Sequence, residues 1–477
     1  MSLSSSVLTR GIGRLIAGAL LVCTGALSQE LEISISPNPV GSGARAAGMA
    51  DAFLAVADDA TAASWNPAGL IQLERPEVSI VGSLNAIYER LDADDHPEFN
   101  SDQNDWNADL NYLSFVYALP KLVLGHNLTV SLSYQRKYDF SRRLRLKYNT
   151  NAVLVGNVLS SFLKMDFEQT GGLSAFTPAV AVEITPRLSV GAALNIWRSS
   201  FLSENSWEQQ TQTKIAVYGG VMKNTVVSSE DRYEDFSGEN LTLGVLWRAT
   251  EKWSLGLRHD TGFTGKADFR SNNLMRSINL PSAHNLFTGI DTQVDAAKET
   301  RKVTFPASWA AGVAFRTSDR LTLSCDVTRT DWNDYYFEDG AGRKFSLTNA
   351  APLNQTLAKP HFDPTYTIRL GAEYVLIPKR PEEALKYLWT LRGGLFRDEE
   401  PASGARRSDP SRGSGNPEAF YGAAVGVGCQ MLQRVNIDVA YQLRFGTGVN
   451  RDLVRGVEGF EEDVIQHRVL VSTVVYF

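Results

Sequence analysis

The chain has 477 residues, 43% of them hydrophobic, and a formal net charge of -6 at pH 7. Its pI of about 5.7 argues against a nucleic-acid partner, and its mean hydropathy of -0.18 resembles that of a soluble protein. A transmembrane barrel has the same average, because lipid-facing and lumen-facing residues alternate and cancel.

Residues 1–28 carry the three parts of a secretory signal. Arg10 and Arg14 come first, then an apolar run around Leu15 to Val22, then Ala26-Leu27-Ser28 as a cleavage site before Gln29. The apolar run is too short to span a bilayer. Cys23 leaves with the signal, and Val22 stands where lipid attachment wants a small residue. Residues 29–75 follow as a candidate hatch. Between Ala44 and Ala63 this stretch has ten alanines, interleaved with Gly48, Met49, Phe53, Leu54 and Val56. Side chains this small build no core of their own but let backbone pack closely against a surrounding wall. The stretch ends at Trp65-Asn66-Pro67-Ala68-Gly69, where Pro67 disfavours helix at the preceding residue and Asn and Gly supply turn chemistry. Gly41, Gly43 and Gly48 lack the strand, helix and acidic residue that a dinucleotide site needs. A short helical hairpin opening a soluble domain is the alternative this stretch leaves open by itself.

From residue 76 to 477 the pattern is one of strands. Period-two alternation predicts fourteen: 77–89, 110–119, 127–140, 173–184, 188–198, 240–248, 253–263, 303–316, 321–332, 366–376, 388–396, 419–430, 435–445 and 465–477. The connections sort into two kinds. Tight turns are expected at 185–187, 250–252, 317–320 and 432–434. Long polar loops are expected at 90–109, 142–172, 203–239, 268–302, 338–364, 398–418 and 446–463. An outer-membrane barrel sorts its connections this way, and a soluble sandwich does not. In the strand from Val435, Ile437, Val439, Tyr441, Leu443 and Phe445 share one face, with Asn436, Asp438, Ala440, Gln442 and Arg444 on the other. Trp253, Trp309, Trp389, Tyr421 and Tyr441 fall where interfacial aromatic girdles would stand. Cys325 and Cys429 share the parity of apolar neighbours on separate strands, so no disulfide is expected. The expected fold is all-β: a transmembrane antiparallel barrel of about fourteen strands, with the hatch in its lumen.

These residues resemble a known family, the long-chain fatty acid and hydrocarbon transporters of the bacterial outer membrane, called OmpP1/FadL/TodX. The resemblance rests on the hatch with its Asn66-Pro67-Ala68 and on FPASWAAGVAFRTSDRLTLSCDVTRTDW from Phe305 to Trp332. It continues through YTIRLGAEYVL from Tyr366, LRGGLF from Leu391 and DVAYQLRFG from Asp438. It implies passive uptake of hydrophobic molecules without ATP or a cofactor, in contact with outer-membrane lipid. In the family, ligand lands in an apolar groove between outer loops, reaches a pocket beside the hatch, and leaves sideways through the wall. The resemblance places Asn66 near the ligand head group, and the hatch or gate set is Asn66, Pro67, Ala68 and Phe53. Two departures stand out. The third strand, where the family often has a glycine-marked kink, holds Tyr134, Gln135, Arg136, Lys137 and Tyr138. Asp363 stands where a basic residue can meet a fatty acid carboxylate.

Arg369 is a candidate head-group contact, although lumen charges of both signs can also satisfy one another and the hatch. A landing groove is expected at Leu274, Met275, Ile278, Leu286 and Phe287, and a second apolar segment at 153–167 has helical spacing. These loops could equally pack on each other to cap the barrel. No catalytic or metal motif is present, and the six histidines are scattered singly, so neither an enzyme nor a metal site is expected. The competing function is a binding platform for partner proteins, as in secretion-associated relatives.

Overall fold

Alternation over eight or more residues makes strands with one apolar and one polar face, and these faces find lipid on one side and a lumen on the other only when the sheet closes. The structure, a computed structural model, describes residues 41–93, 97–123, 125–154, 157–202, 204–218, 222–280, 289–345, 363–380, 386–401, 417–450 and 460–477. The signal and residues 29–40 lie outside these. The strands are β1 (Glu77–Ala93), β2 (Ser101–Ala118), β3 (Leu128–Asp139), β4 (Arg142–Leu154), β5 (Asn157–Thr185), β6 (Leu188–Trp197) and β7 (Ser206–Tyr218). They continue with β8 (Met222–Arg248), β9 (Trp253–Asp260), β10 (Phe263–Leu280), β11 (Gly289–Phe305), β12 (Ser308–Arg316), β13 (Leu321–Thr330) and β14 (Tyr336–Glu338). The last are β15 (Lys344–Phe345), β16 (Thr365–Leu376), β17 (Tyr387–Glu400), β18 (Glu418–Met431), β19 (Val435–Val449) and β20 (Phe460–Tyr476).

Fourteen of these form a closed antiparallel ring: β1, β2, β3, the second half of β5, β6, the second half of β8, β9, β12, β13 and β16 to β20. Closure runs from Glu77 opposite Tyr476 to Ala93 opposite Phe460. All fourteen expected strands are there. Trp253, Trp309, Trp389, Tyr421 and Tyr441 are exposed on the outer face, and Cys325 and Cys429 are unbridged.

Four of the expected loops are largely strand. Of 90–109, residues 90–93 and 101–109 prolong β1 and β2. The described strand residues of 142–172, 203–239 and 268–302 belong to long hairpins, β4/β5, β7/β8 and β10/β11, that carry the sheet beyond the ring. The helical spacing expected at 153–167 is overturned as well, because Val153 pairs with Val158 across a hairpin. The alternation was there: Leu144 and Leu146 are buried, while Arg145 and Lys147 between and beyond them are exposed. Polar composition concealed it. Two expected single strands are interrupted, at Thr261-Gly262 and at Pro306-Ala307, where proline cannot donate to a ladder. The first break hands the chain from the ring to the extension, and the second hands it back.

Residues 41–73 sit inside the ring. A helical turn, Ala44–Gly48, packs against β17 to β20, and a 3-10 turn, Pro67–Gln72, packs against β5, β6 and β8 on the opposite side. The segment therefore crosses the lumen near the end that carries the short turns.

Candidate functional site

Small side chains set how closely the crossing segment can dock. In the wall, Gly191 faces Gly244, Gly256 faces Gly312 and Gly371 faces Gly394 across adjacent strands. A β-carbon at Gly244 would collide with Asn66 Oδ1, and one at Gly371 would stand 2.6 Å from the Met49 carbonyl oxygen. Glycine here lets backbone meet backbone. Hydrogen bonds then fix the fit. Asp326 Oδ2 accepts from the Leu54 amide at 2.8 Å, Ser324 Oγ donates to the Ala52 carbonyl at 2.7 Å, and Gln442 Nε2 donates to the Ala47 carbonyl at 3.0 Å. Arg45 reaches the wall with two 2.9 Å bonds to Glu373, which Arg392 also contacts at 2.7 Å while it holds Asp438 at 2.6 Å. Burial pushes the Asp59 carboxyl above its ordinary range, against the pull of Arg45 4.0 Å away.

Asn66 is fully buried and bridges segment and wall. Its Nδ2 donates to the Leu54 carbonyl at 3.1 Å and the Val245 carbonyl at 3.0 Å, and its Oδ1 accepts from the Ala68 amide at 3.2 Å. Pro67 opens the 3-10 turn, and the Ala68 carbonyl accepts from Ser189 Oγ at 3.0 Å. Phe53, also fully buried, packs edge-on against Trp65 at 6.3 Å beneath the Arg45 guanidinium.

Above the segment the lumen divides in two. On the side of β1, β2 and β16 to β20 lies a cavity lined mainly by polar and charged side chains and continuous with solvent. Asp51 of the crossing segment forms part of its floor, and Arg369, Asp398, Arg444, Glu400 and Arg142 are among its walls. Its charges pair: Arg369 with Asp398 at 3.5 Å, Arg444 with Glu400 at 2.6 Å, and Arg142 with Glu462 at 3.0 Å. On the opposite side, aromatic rings fill the lumen. Trp197, Phe263 and Phe305 stack nearly parallel at 5.2 and 5.1 Å, Tyr138 meets Phe305 at 5.0 Å, and Trp207 stacks on Tyr233 at 4.4 Å. Over the cavity's rim, inside the extension, Leu91, Leu144, Leu146, Leu163, Met165 and Phe167 form a further apolar cluster.

A polar chain joins the rings to the crossing segment. Lys137 Nζ donates to Asn195 Oδ1 at 3.0 Å, Asn195 Nδ2 to Thr242 Oγ1 at 3.0 Å, and Thr242 Oγ1 to Asp260 Oδ1 at 2.6 Å. Asp260 pairs with Arg258 at 3.0 Å, and Arg258 donates to the Trp65 carbonyl at 3.2 Å, one residue before Asn66.

The wall has one weak seam. β2 pairs with β3 only from Tyr112 opposite Gln135 to Ala118 opposite Thr129, although its pairing with β1 continues to Ser101. Beyond Tyr112, side chains cross the seam instead of a ladder: Arg136 pairs with Asp109 at 3.1 Å, and Asn107 donates to Asp139. β3 carries a bulge there, between Arg136 and Tyr138, with no glycine of its own.

The structure gathers Asn66, Pro67, Ala68 and Phe53 into one crossing segment and sets Arg369 in the polar wall, already paired. It splits the expected landing groove, because Leu274 and Met275 are consecutive on β10 and face opposite sides of the sheet. Leu274 is exposed and Met275 and Ile278 are half-buried, while Leu286 and Phe287 lie outside the described residues. Sequence reasoning missed Lys137 as a lumen group. The signal was its parity with the buried Ser131, Ser133 and Gln135; that Tyr138 turns inward beside it appears only once β3 is paired with β5.

A family model described as outer membrane protein transport protein (OMPP1/FadL/TodX) matches residues 41–452. Among solved structures, a Pseudomonas aeruginosa FadL homologue is 14% identical with a TM-score of 0.53, the match covering 94% of this chain and 100% of that one. The Pseudomonas putida toluene transporter TodX is 13% identical with a TM-score of 0.52, covering 92% and 98%. No curated protein sequence matches.

Proposed function

Because the chain belongs to the OMPP1/FadL/TodX family of outer membrane transport proteins, we propose that it carries hydrophobic small molecules passively across the bacterial outer membrane, with residues 41–73 as the hatch. The observation that carries this reading is the content of the lumen. A general porin keeps a polar, water-filled interior, whereas half of this one is occupied by Phe140, Trp197, Trp207, Tyr233, Phe236 and Phe305, all buried. A hydrophobic solute gains by transfer to such a surface, roughly 25 cal/mol per Å² of apolar area removed from water.

The route starts at the apolar cluster around Leu146 and Phe167, passes the open side of the rings and ends over the hatch at Asn66. Exit is sideways, at the seam between β2 and β3, where two side-chain contacts stand in for a backbone ladder and cost less to open than continuous pairing. Hydrocarbons suit this path better than long-chain fatty acids, since the cavity's arginines at 369 and 444 already hold carboxylates.

The test is uptake of labelled toluene and labelled oleate by cells that lack their own transporters of this family and express the chain, folded as judged by heat-modifiable gel mobility. Toluene uptake above the empty-vector control is expected, and oleate uptake below it. Uptake of neither from a folded barrel overturns the transport reading, and a stoichiometric co-purifying protein would then point to a binding platform.

A further inference from the structure

Lys137 is a cation at the edge of the aromatic half with no carboxylate against it among the described residues. It is the extra residue of the β3 bulge, so it and Tyr138 both turn into the lumen instead of alternating across the wall. An ammonium has three donors. The described residues use one, in the 3.0 Å bond to Asn195 Oδ1, and its carboxylate, Asp260, is reached only through Asn195 and Thr242. Lys137 Nζ also stands 5.8 Å from the centre of the Trp197 ring. Tyr138 stacks on Trp197 at 5.7 Å, and Tyr138 and Phe263 are, with Phe337, the partly buried members of the cluster, so their edges belong to its accessible side.

We propose that this side of the cluster binds an aromatic acid: a planar ring packs against the accessible edges of Tyr138 and Phe263 while its carboxylate takes the free donors of Lys137. The ring supplies stacking area and the carboxylate supplies a charge-assisted bond that the neutral amide of Asn195 cannot match. A saturated chain of equal size has no π-face to offer the stack, and a plain hydrocarbon leaves the ammonium without an anion. The inference rests on the transport reading and adds ring compounds carrying an acidic oxygen to the hydrocarbons that reading names.

The experiment is a titration of tryptophan fluorescence for the full barrel in lipid nanodiscs, with empty nanodiscs as the blank, using 4-butylbenzoate and its neutral counterpart butylbenzene. Wild type is expected to bind the acid at least tenfold more tightly than the hydrocarbon. Lys137→Met should lose that preference while keeping its affinity for butylbenzene, and Lys137→Arg should restore most of it. The wild-type comparison needs no variant, so a folding defect in Lys137→Met does not rescue the idea. Butylbenzene bound without preference for the acid overturns the acid site and leaves hydrocarbon transport standing; binding of neither compound overturns both.

Discussion

The two halves of the lumen are built from the same alternating strands and have opposite contents. Over β3 to β13 the inward positions carry large rings that pack until little space is left, whereas over β16 to β20 and β1 they carry arginines and carboxylates around open space. The difference shows that a barrel's lumen is not one environment. Inward parity dictates only that a residue leaves the lipid, and what it meets next is decided by its neighbours on three or four adjacent strands.

The contrast can be broken from either side, beginning with the rings. Phe305→Ala removes a fully buried ring that touches Tyr138, Phe263, Phe236 and Tyr335. It should cost about 3–5 kcal/mol, visible as a lower temperature for the heat-modifiable mobility shift, and should abolish most toluene uptake. Asn66→Ala deletes one bond from hatch to wall, at Val245, and the bonds to Leu54 and Ala68 that brace the hatch itself, worth about 1–3 kcal/mol; the expected result is a folded barrel with weakened uptake and more frequent openings in planar-bilayer recordings. Unchanged uptake would remove Asn66 from the gate. Thr242→Val cuts the chain from Lys137 to the hatch and should cost about 1–2 kcal/mol, lowering uptake with smaller loss of thermal stability than at Phe305. The smallest effect belongs to the polar half. Glu400→Gln breaks a cavity-lining pair with Arg444 that water can replace, and should change stability by less than about 1 kcal/mol and leave toluene uptake intact. A Glu400→Gln barrel that no longer took up toluene, beside a Phe305→Ala barrel that did, would exchange the roles assigned to the two halves.

The ring was legible in the sequence because lipid forces strict alternation, and residues such as Val435 to Phe445 display it without interruption. The close packing of residues 41–73 against the wall was legible in their alanines. The extension was not: Leu144, Leu146, Leu163 and Met165 alternate as well as any ring residue, but their outward partners are arginines and lysines facing water, so the stretch resembles a polar loop. Reading 268–302 as a loop missed the same alternation, which puts Leu274 and Met275 on opposite faces of β10. Contacts between distant strands were beyond reach. Nothing in the order of residues tells Glu373 that it will sit between Arg45 and Arg392, or Tyr138 that a bulge will turn it inward. The paired wall glycines were visible as letters; their meaning appears only once a second backbone lies against them.

The hatch's anchors also constrain how the chain can be assembled. Its first described residues are held by the last strand: the Ala44 amide donates to Ser472 Oγ at 3.3 Å and Arg468 donates to the Gly41 carbonyl at 3.0 Å, contacts that span 428 and 427 residues. Asn111 and Tyr112, on β2, hold the same segment from the other flank of the closing pair β1 and β20. The segment made first therefore waits for the strand made last, and seating it coincides with sealing the sheet. Loop closure over such distances is slow, so the late step in folding of this barrel is the joining of its two ends around its own beginning. A chain truncated before β20 would lose closure and hatch together.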